Sequence, residues 1–169
     1  MKKITKILTL IIFIVCLSGC FNYKEINDYA IVSGVSIDID KKNEDKYKVG
    51  VQIMNAKKDK ESDNSLITFY DASGNTIYQA LEKIMLDSPK KLYLGHNEVV
   101  VISEKLLKKK SPIYYLDYFM RDSEAEKKSV IMVSKEENAY DILKIITPLE
   151  TIPSKNLRAT LGISDNFSG

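Results

Sequence analysis

Hydrophobic and polar residues alternate in two stretches early in the chain, and this period of two is typical of half-buried strands. We predict two such strands, in which the apolar positions are Val35, Ile37 and Ile39 in the first and Tyr47, Val49, Val51 and Ile53 in the second. The charged residues 41–46 would join them as an antiparallel hairpin. A short third strand is predicted over residues 66–70, after a polar loop.

A helical period follows. Thr76 and Gln79 fit a capping box, and the apolar residues behind them fall on one helical face: Ile77, Ala80, Leu81, Ile84 and Met85. We expect this helix to end at Ser88, because Pro89 disfavours helical geometry at the residue before it.

The rest of the chain mixes continuous apolar runs with helical patterns. Residues 99–102 and 130–133 predict strands buried on both faces. Ser111 and Pro112 indicate a helix start, and Asn138 is a plausible cap for a last helix. The predicted buried positions are Ile113, Leu116, Phe119 and Met120 in the first helix and Tyr140, Leu143 and Ile146 in the second. The expected fold is α+β, with a mixed or antiparallel sheet packed against about three helices.

The N-terminus has the pattern of a secretory signal peptide. Lys2, Lys3 and Lys6 precede an unbroken apolar run over residues 7–15, which is shorter than the roughly 20 residues that a membrane-spanning helix needs. The string Leu17-Ser18-Gly19-Cys20 that follows resembles a bacterial lipobox. We therefore expect removal of residues 1–19 and acylation of Cys20, with palmitate-like chains that hold the protein on a membrane surface.

Charge and cysteine content agree with this interpretation. Removal of residues 1–19 lowers Lys+Arg from 25 to 22 against 23 Asp+Glu, so the mature chain has a net charge of −1. This balance gives no electrostatic reason to expect nucleic acid as a partner. Cys16 lies in the removed segment and Cys20 would carry the lipid, so the mature protein would have no disulfide.

Candidate chemistry is sparse. His96 is the single histidine, and a structural turn explains it better than catalysis. One histidine cannot build a zinc site, and no glycine-rich phosphate loop is present. The acidic hairpin that includes Asp38, Asp40 and Asp45 lacks the EF-hand glycine and glutamate, which favours a solvated turn over a calcium loop. We predict no catalytic residues, no metal, no cofactor and no enzymatic activity.

One predicted helix is rich in aromatic residues. Core packing explains some of its rings, but a helix with four of them cannot easily bury every one. Tyr114, Tyr115 and Tyr118 are therefore candidates for a partner-facing surface. The lysine run 108–110 just before this helix would be either a solvated face or a contact for anionic lipid.

Several segments together resemble the Ger(x)C family, the lipoprotein C subunits of nutrient germinant receptors in spores. The segments that carry the resemblance follow one another in the family's order: Cys20, residues 23–34 (YKEINDYAIVSG), 88–102 (SPKKLYLGHNEVVVI), 117–122 (DYFMRD) and 148–153 (PLETIP). On this resemblance, residues 20–150 correspond to the family's N-terminal domain. Residues 151–169 would be the end of that domain or the start of a following region, because the family's proteins are longer.

The resemblance implies a role without catalysis. A Ger(x)C protein would act as a scaffold or assembly subunit of a germinant receptor, beside integral membrane subunits of the A and B types. Its lipid at Cys20 would place it on the outer face of a bacterial membrane, specifically the spore inner membrane. The alternative from the residues alone is a lipoprotein that binds small molecules and works with a membrane transporter, which would need a concave pocket.

Overall fold

The fold is described by a computed structural model. It covers residues 29–54, 67–121, 129–148 and 150–167, together with 3, 4 and 6 near the N-terminus. Six strands lie in the described part of the chain: β1 (Tyr29–Ile39), β2 (Tyr47–Met54), β3 (Ile67–Gly74), β4 (Lys91–Tyr93), β5 (Val99–Ser103) and β6 (Val130–Ser134). The same residues hold five helices: α1 (Ile77–Asp87), α2 (Glu104–Lys109), α3 (Ile113–Arg121), α4 (Ala139–Ile142) and α5 (Pro153–Phe167).

The strands form one mixed sheet in the order β3-β2-β1-β5-β6. The pairs β1–β2 and β2–β3 are antiparallel, whereas β5 lies parallel to both β1 and β6. The predicted hairpin, third strand and α+β class with a mixed sheet are confirmed. Two helices, α2 and α5, are additional to the three that the sequence pattern predicts.

The short strand β4 lies on the same side of β1 as β5. Tyr29 of β1 pairs with Lys91 of β4, and Gly34 pairs with Val99 of β5. The gap between β4 and β5 lies beside Ser33 of β1. The carbonyl oxygen of Ser33 accepts a hydrogen bond of 2.9 Å from the Glu98 amide. The segment 88–102, which carries much of the family resemblance, thus pairs with one edge of β1 from Tyr29 to Ile37.

Helices α1, α2 and α3 cover one face of the sheet. Thr76 accepts a hydrogen bond from the Gln79 amide at 3.1 Å, which confirms the predicted cap of α1. The apolar side of α1 packs on residues of β1 and β2 that point to the same face. The main core consists of Val32, Val35, Ile37, Ile39, Val49, Val51, Ile53, Ile77, Leu81, Ile84, Val100, Ile102 and Leu106, among others. Burial of each such side chain contributes about 1.5–3 kcal/mol.

Helices α4 and α5 cover the opposite face and enclose a smaller core of Val99, Val101, Ala139 and Leu143. Helix α4 lies close to the sheet because the sheet residues beneath it include glycines. A Cβ at Gly34 would lie 2.8 Å from Cδ2 of Leu143, and a Cβ at Gly50 would overlap the Tyr140 ring. The two glycines therefore allow this second layer to sit directly on the sheet.

Three strands differ in burial from the prediction. β1 and β2 are predicted to be half-buried, but most of their residues are buried because helices cover both faces of the sheet at these strands. β6 is predicted to be buried on both faces, and this is wrong. It forms an edge of the sheet, and Ile131 and Val133 are 53% and 50% exposed on the face that carries α1 to α3.

The predicted buried stripe of α3 is also partly wrong. Ile113 and Met120 are exposed, whereas Tyr115 is fully buried. Tyr115 packs edge-on against Tyr47 of β2, with 6.3 Å between ring centroids. This contact sets the rotation of the helix, so that Tyr118 and Phe119, one turn after Tyr115, face inward and Met120 does not.

The last predicted helix is shorter than expected. Asn138 precedes α4, but its side chain makes no cap bond to the backbone and instead donates to Asp141 at 2.8 Å. Leu143 is buried as predicted and Tyr140 is partly buried, but Ile146 is exposed because the helix ends before it. The chain then continues into α5, whose first turns pack on the same sheet.

Candidate functional site

An aromatic surface lies between α1 and α3, and we define it by Tyr78, Tyr114 and Tyr118. Tyr114 is 74% exposed and Tyr78 is 55% exposed, while Tyr118 is partly buried. The rings of Tyr78 and Tyr118 lie 6.4 Å apart between centroids. A groove of about 460 Å³ separates the two helices here, lined by Thr76, Ile77, Tyr78, Tyr114, Asp117, Tyr118 and Arg121.

The structure divides the aromatic residues of α3 between inside and outside. Tyr118 packs edge-on against Phe119, with 5.3 Å between centroids, and both rings are partly buried against the main core. Tyr114 projects outward and stays a candidate for partner contact. Tyr115 does not, because its ring is buried against Tyr47, so the prediction of a partner-facing role for Tyr115 is wrong.

Tyr78 was not predicted as part of this surface. It lies on the outer side of α1, one position after the buried Ile77, where the sequence pattern indicates only an exposed helix residue. Its neighbour Tyr118 is forty residues further along the chain, so only tertiary structure brings the two rings together.

Charges at the edge of the aromatic surface are mixed. The Tyr78 hydroxyl hydrogen-bonds to the Glu82 carboxylate, and this bond raises the pKa of Tyr78 above its ordinary value. Arg121 donates to Asp117 at 2.7 Å, one helical turn away. The surface thus offers rings, neutral hydroxyls and a rim of both charge signs, a composition typical of protein–protein interfaces.

The lysine run 108–110 is engaged with the protein itself. Lys108 lies 2.8 Å from Glu104, and Lys109 pairs with Glu44 of the β1–β2 connection. Hydrogen bonds from Lys109 first, and from Lys105 second, lower the pKa of Glu44. Lys110 donates to a backbone oxygen of that connection at 2.7 Å, and its ammonium lies 4.3 Å from the centroid of the Tyr47 ring. These contacts join α2 to the β1–β2 connection.

His96 is exposed in the turn between β4 and β5. Its neighbour Asn97 is the buried polar residue of this segment. Asn97 Nδ2 donates to the Ser129 hydroxyl at 3.1 Å, and that hydroxyl donates back to the Asn97 carbonyl oxygen at 2.6 Å. The segment therefore serves to connect β5 with the start of β6.

The acidic residues of the hairpin are bound to the protein's own backbone and side chains. Asp40 Oδ1 accepts hydrogen bonds from the amides of Lys42 and Asn43 at 2.7 and 2.9 Å. Its Oδ2 accepts from the Ser73 hydroxyl, which is the largest cause of a lowered pKa at Asp40. Across the described residues, no group of three His, Cys, Asp or Glu side chains is placed to hold a metal ion.

A second groove, of about 540 Å³, opens near the same hairpin on the face covered by α4. Its walls carry both signs of charge, but these charges are largely paired with each other. Lys48 forms an ion pair with Asp71, and Lys144 lies 3.2 Å from Asp141 and 4.0 Å from the centroid of the Tyr140 ring. A small-molecule binding site would need unpaired polar groups that converge on one point, and the described walls of this groove do not provide such a set.

Cys20, the predicted lipidation residue, lies outside the described residues. Within the described part of the chain, no helix combines the length and hydrophobicity required to cross a bilayer.

The fold and the site together define an α+β domain with an exposed aromatic surface. Its sequence identifies the family: residues 22–167 match the family described as the spore germination protein N-terminal domain, and the chain belongs to this family. The membership supports a role in spore germination.

Three similar proteins come from Bacillus subtilis strain 168. Spore germination protein KC is 30% identical over 97% of this chain, spore germination protein B3 is 26% identical over 93%, and the putative spore germination protein YfkR is 31% identical over 93%. This chain spans 42% of the length of each. No solved structure matches the chain.

Proposed function

We propose that this chain acts in spore germination as a lipid-anchored, non-enzymatic subunit of a nutrient germinant receptor. In this role it would assemble with integral membrane subunits of the A and B types at the outer face of the spore inner membrane. Family membership supports the pathway, and the lipobox-like string that ends at Cys20 supports the anchor.

The observation that carries the contact role is the aromatic surface. Tyrosine is enriched at protein interfaces and at their hot spots, and Tyr78 and Tyr114 both have most of their surface in water. Tyr114 and Tyr78 project from two different helices that are fixed on one core, so they present a rigid pair to a partner. A rigid surface loses little conformational freedom when it binds.

A membrane pull-down from spores tests the proposal. The tagged full chain is compared with Cys20→Ala and with the double variant Tyr78→Ala/Tyr114→Ala. The double variant Ile145→Ala/Ile146→Ala is the matched control, because it removes exposed apolar side chains elsewhere on the domain.

We expect the wild-type chain and the Ile145/Ile146 control to recover integral receptor subunits. The tyrosine variant should reach the membrane but recover much less of them, whereas Cys20→Ala should fail to stay on the membrane. A wild-type chain that is anchored but recovers no integral subunit would contradict the receptor role. Equal recovery by the tyrosine variant would contradict the assigned surface.

A further inference from the structure

Aromatic and basic side chains share the end of the sheet at which β1 begins. Tyr29 opens β1, and its ring packs edge-on against Tyr93 of β4 with 5.8 Å between centroids. The Lys91 ammonium lies 6.0 Å from the centroid of the Tyr29 ring. Together with Lys90 and Leu86, these residues form a group that we call the anchor end.

Helix α1, which packs on β3 and β2, contributes an apolar side chain to the anchor end. Leu86 lies in the last turn of α1 and is 85% exposed. Beyond it, a pocket of about 100 Å³ opens between β1, β2, β3 and the end of α1, and its walls include Tyr29, Met54, Tyr70 and Pro89. An exposed leucine at the same end of the sheet as two tyrosines and two lysines is suited to the boundary between water and lipid, although α1 lies on the face opposite the tyrosines.

The short connection between Cys20 and Tyr29 keeps the anchor end close to the predicted lipid. Cys20 precedes Tyr29 by nine residues, which span at most about 30 Å when fully extended. β1 then carries the chain about 33 Å away, toward Ile39. A lipid at Cys20 therefore holds the Tyr29 end of the domain near the bilayer.

The described residues of the anchor end carry a local excess of one positive charge. Lys90 is exposed and Lys91 lies beside it, against the single carboxylate of Asp87 in the last turn of α1. The adjoining sequence segments 21–28 and 55–66 hold four lysines and five acidic residues, so they are almost balanced. By contrast, the lysine run 108–110 lies toward the opposite end of β1, where its contacts are with the hairpin.

We propose that the anchor end rests on the phospholipid bilayer, with Lys90 and Lys91 at anionic head groups and with Tyr29, Tyr93 and Leu86 at the level of the interface. This inference rests on the proposed membrane attachment. It sets the orientation of the domain: the sheet stands away from the membrane, and the α1–α3 aromatic surface faces sideways, where an integral subunit can reach it.

Fluorescence quenching in vesicles tests the orientation. The full chain is reconstituted into vesicles of phosphatidylglycerol and phosphatidylethanolamine in which some lipids carry a nitroxide on the head group. A fluorescent amino acid replaces Asp87 at the anchor end or, in a parallel protein, Lys42 in the hairpin at the far end. The protein with the reporter at position 87 is then combined with the double substitution Lys90→Glu/Lys91→Glu. The matched control carries the same reporter with Lys42→Glu/Lys135→Glu, which reverses two exposed charges at the far end.

We expect quenching at position 87 to be about threefold stronger than at position 42, because only the anchor end lies at the head groups. Charge reversal at Lys90 and Lys91 should reduce quenching at position 87 by about half, and the far-end reversal should leave it unchanged. Equal quenching at the two reporter positions would overturn the proposal, as would an equal response to the two charge reversals.

Mass spectrometry of the same sample separates this inference from the anchor. An unmodified Cys20 would contradict lipidation, and a Cys16→Ser chain is then attached to the same vesicles through Cys20 by a maleimide-bearing lipid, nine residues before Tyr29. The quenching comparison would then still decide whether the anchor end faces the lipid.

Discussion

The Ser103 hydroxyl donates a hydrogen bond of 2.6 Å to Oδ1 of Asp38, although the two residues are 65 positions apart. The same Asp38 carboxylate accepts from the Ala139 amide at 3.1 Å through Oδ2, at the first residue of α4. Ser103 in turn caps α2 by accepting from the Leu106 amide at 3.2 Å. One buried carboxylate on β1 therefore connects the starts of two helices that lie on opposite faces of the sheet.

Replacement of Asp38 by Asn should destabilise the domain by about 1–3 kcal/mol. In asparagine an amide nitrogen takes the place of one carboxylate oxygen, and this nitrogen cannot accept the hydrogen bond that the oxygen receives. Urea unfolding followed by circular dichroism measures the change. Asp45→Asn is the matched control, since Asp45 is exposed in the hairpin, and we expect it to change the free energy of unfolding by less than about 0.5 kcal/mol. Equal effects of the two substitutions would contradict the connecting role of Asp38.

Two substitutions at Tyr115 should have very different effects. Tyr115→Ala removes a fully buried ring and should cost about 3–5 kcal/mol, as truncation of large aromatic side chains does. Tyr115→Phe keeps the ring and removes a hydroxyl that has no hydrogen-bond partner among the described residues, so it should be neutral or slightly stabilising. Thermal unfolding of both variants, beside Tyr114→Ala as an exposed control, gives the comparison. A large loss of stability for Tyr115→Phe would show that the hydroxyl is satisfied.

Tyr115 also shows how far the sequence could predict the fold. The alternation in β1 and β2 and the cap at Thr76 are local signals, and the structure confirms the antiparallel pair and the cap, although not the half-burial of the strands. In α3, however, two overlapping sets of residues have helical spacing, one that includes Ile113 and Met120 and one that includes Tyr115. Only the contact with Tyr47 selects between them.

The exposed strand β6 has a similar explanation. Its apolar run is typical of a central strand, but its exposure depends on its position at the edge of the sheet and on the reach of α2 and α3 over it. The aromatic surface was predicted only in part for the same reason. Tyr114 and Tyr118 stand out in the sequence of one helix, whereas Tyr78 joins them only through the packing of α1 against α3.

The glycines beneath α4 and in α5 should respond in opposite ways to alanine. Gly50→Ala would place a methyl group in the Tyr140 ring and against the Ser36 hydroxyl, and we expect a loss of about 1–3 kcal/mol from this overpacking. In α5, a Cβ added at Gly162 would meet nothing within 4 Å, so Gly162→Ala should be stabilising by up to about 1 kcal/mol through helix propensity. Chemical denaturation of the two variants measures both changes. Similar stabilities would contradict the close approach of α4 to the sheet.

Acid should weaken the link between the β1–β2 hairpin and β3. The hydrogen bond from Ser73, followed by those from the hairpin amides, lowers the pKa of Asp40 below its ordinary value of 3.8 in the folded protein. A carboxyl group with a lowered folded pKa stabilises the fold fully at pH values above its unfolded pKa, and this contribution is lost as the pH falls through the folded value. Asp40→Asn should therefore reduce stability at pH 7 but make little difference at a pH below both values. Urea midpoints of wild type and variant, measured at pH 7 and at successively lower pH values, test the sign, and a difference that grows toward low pH would contradict the assignment.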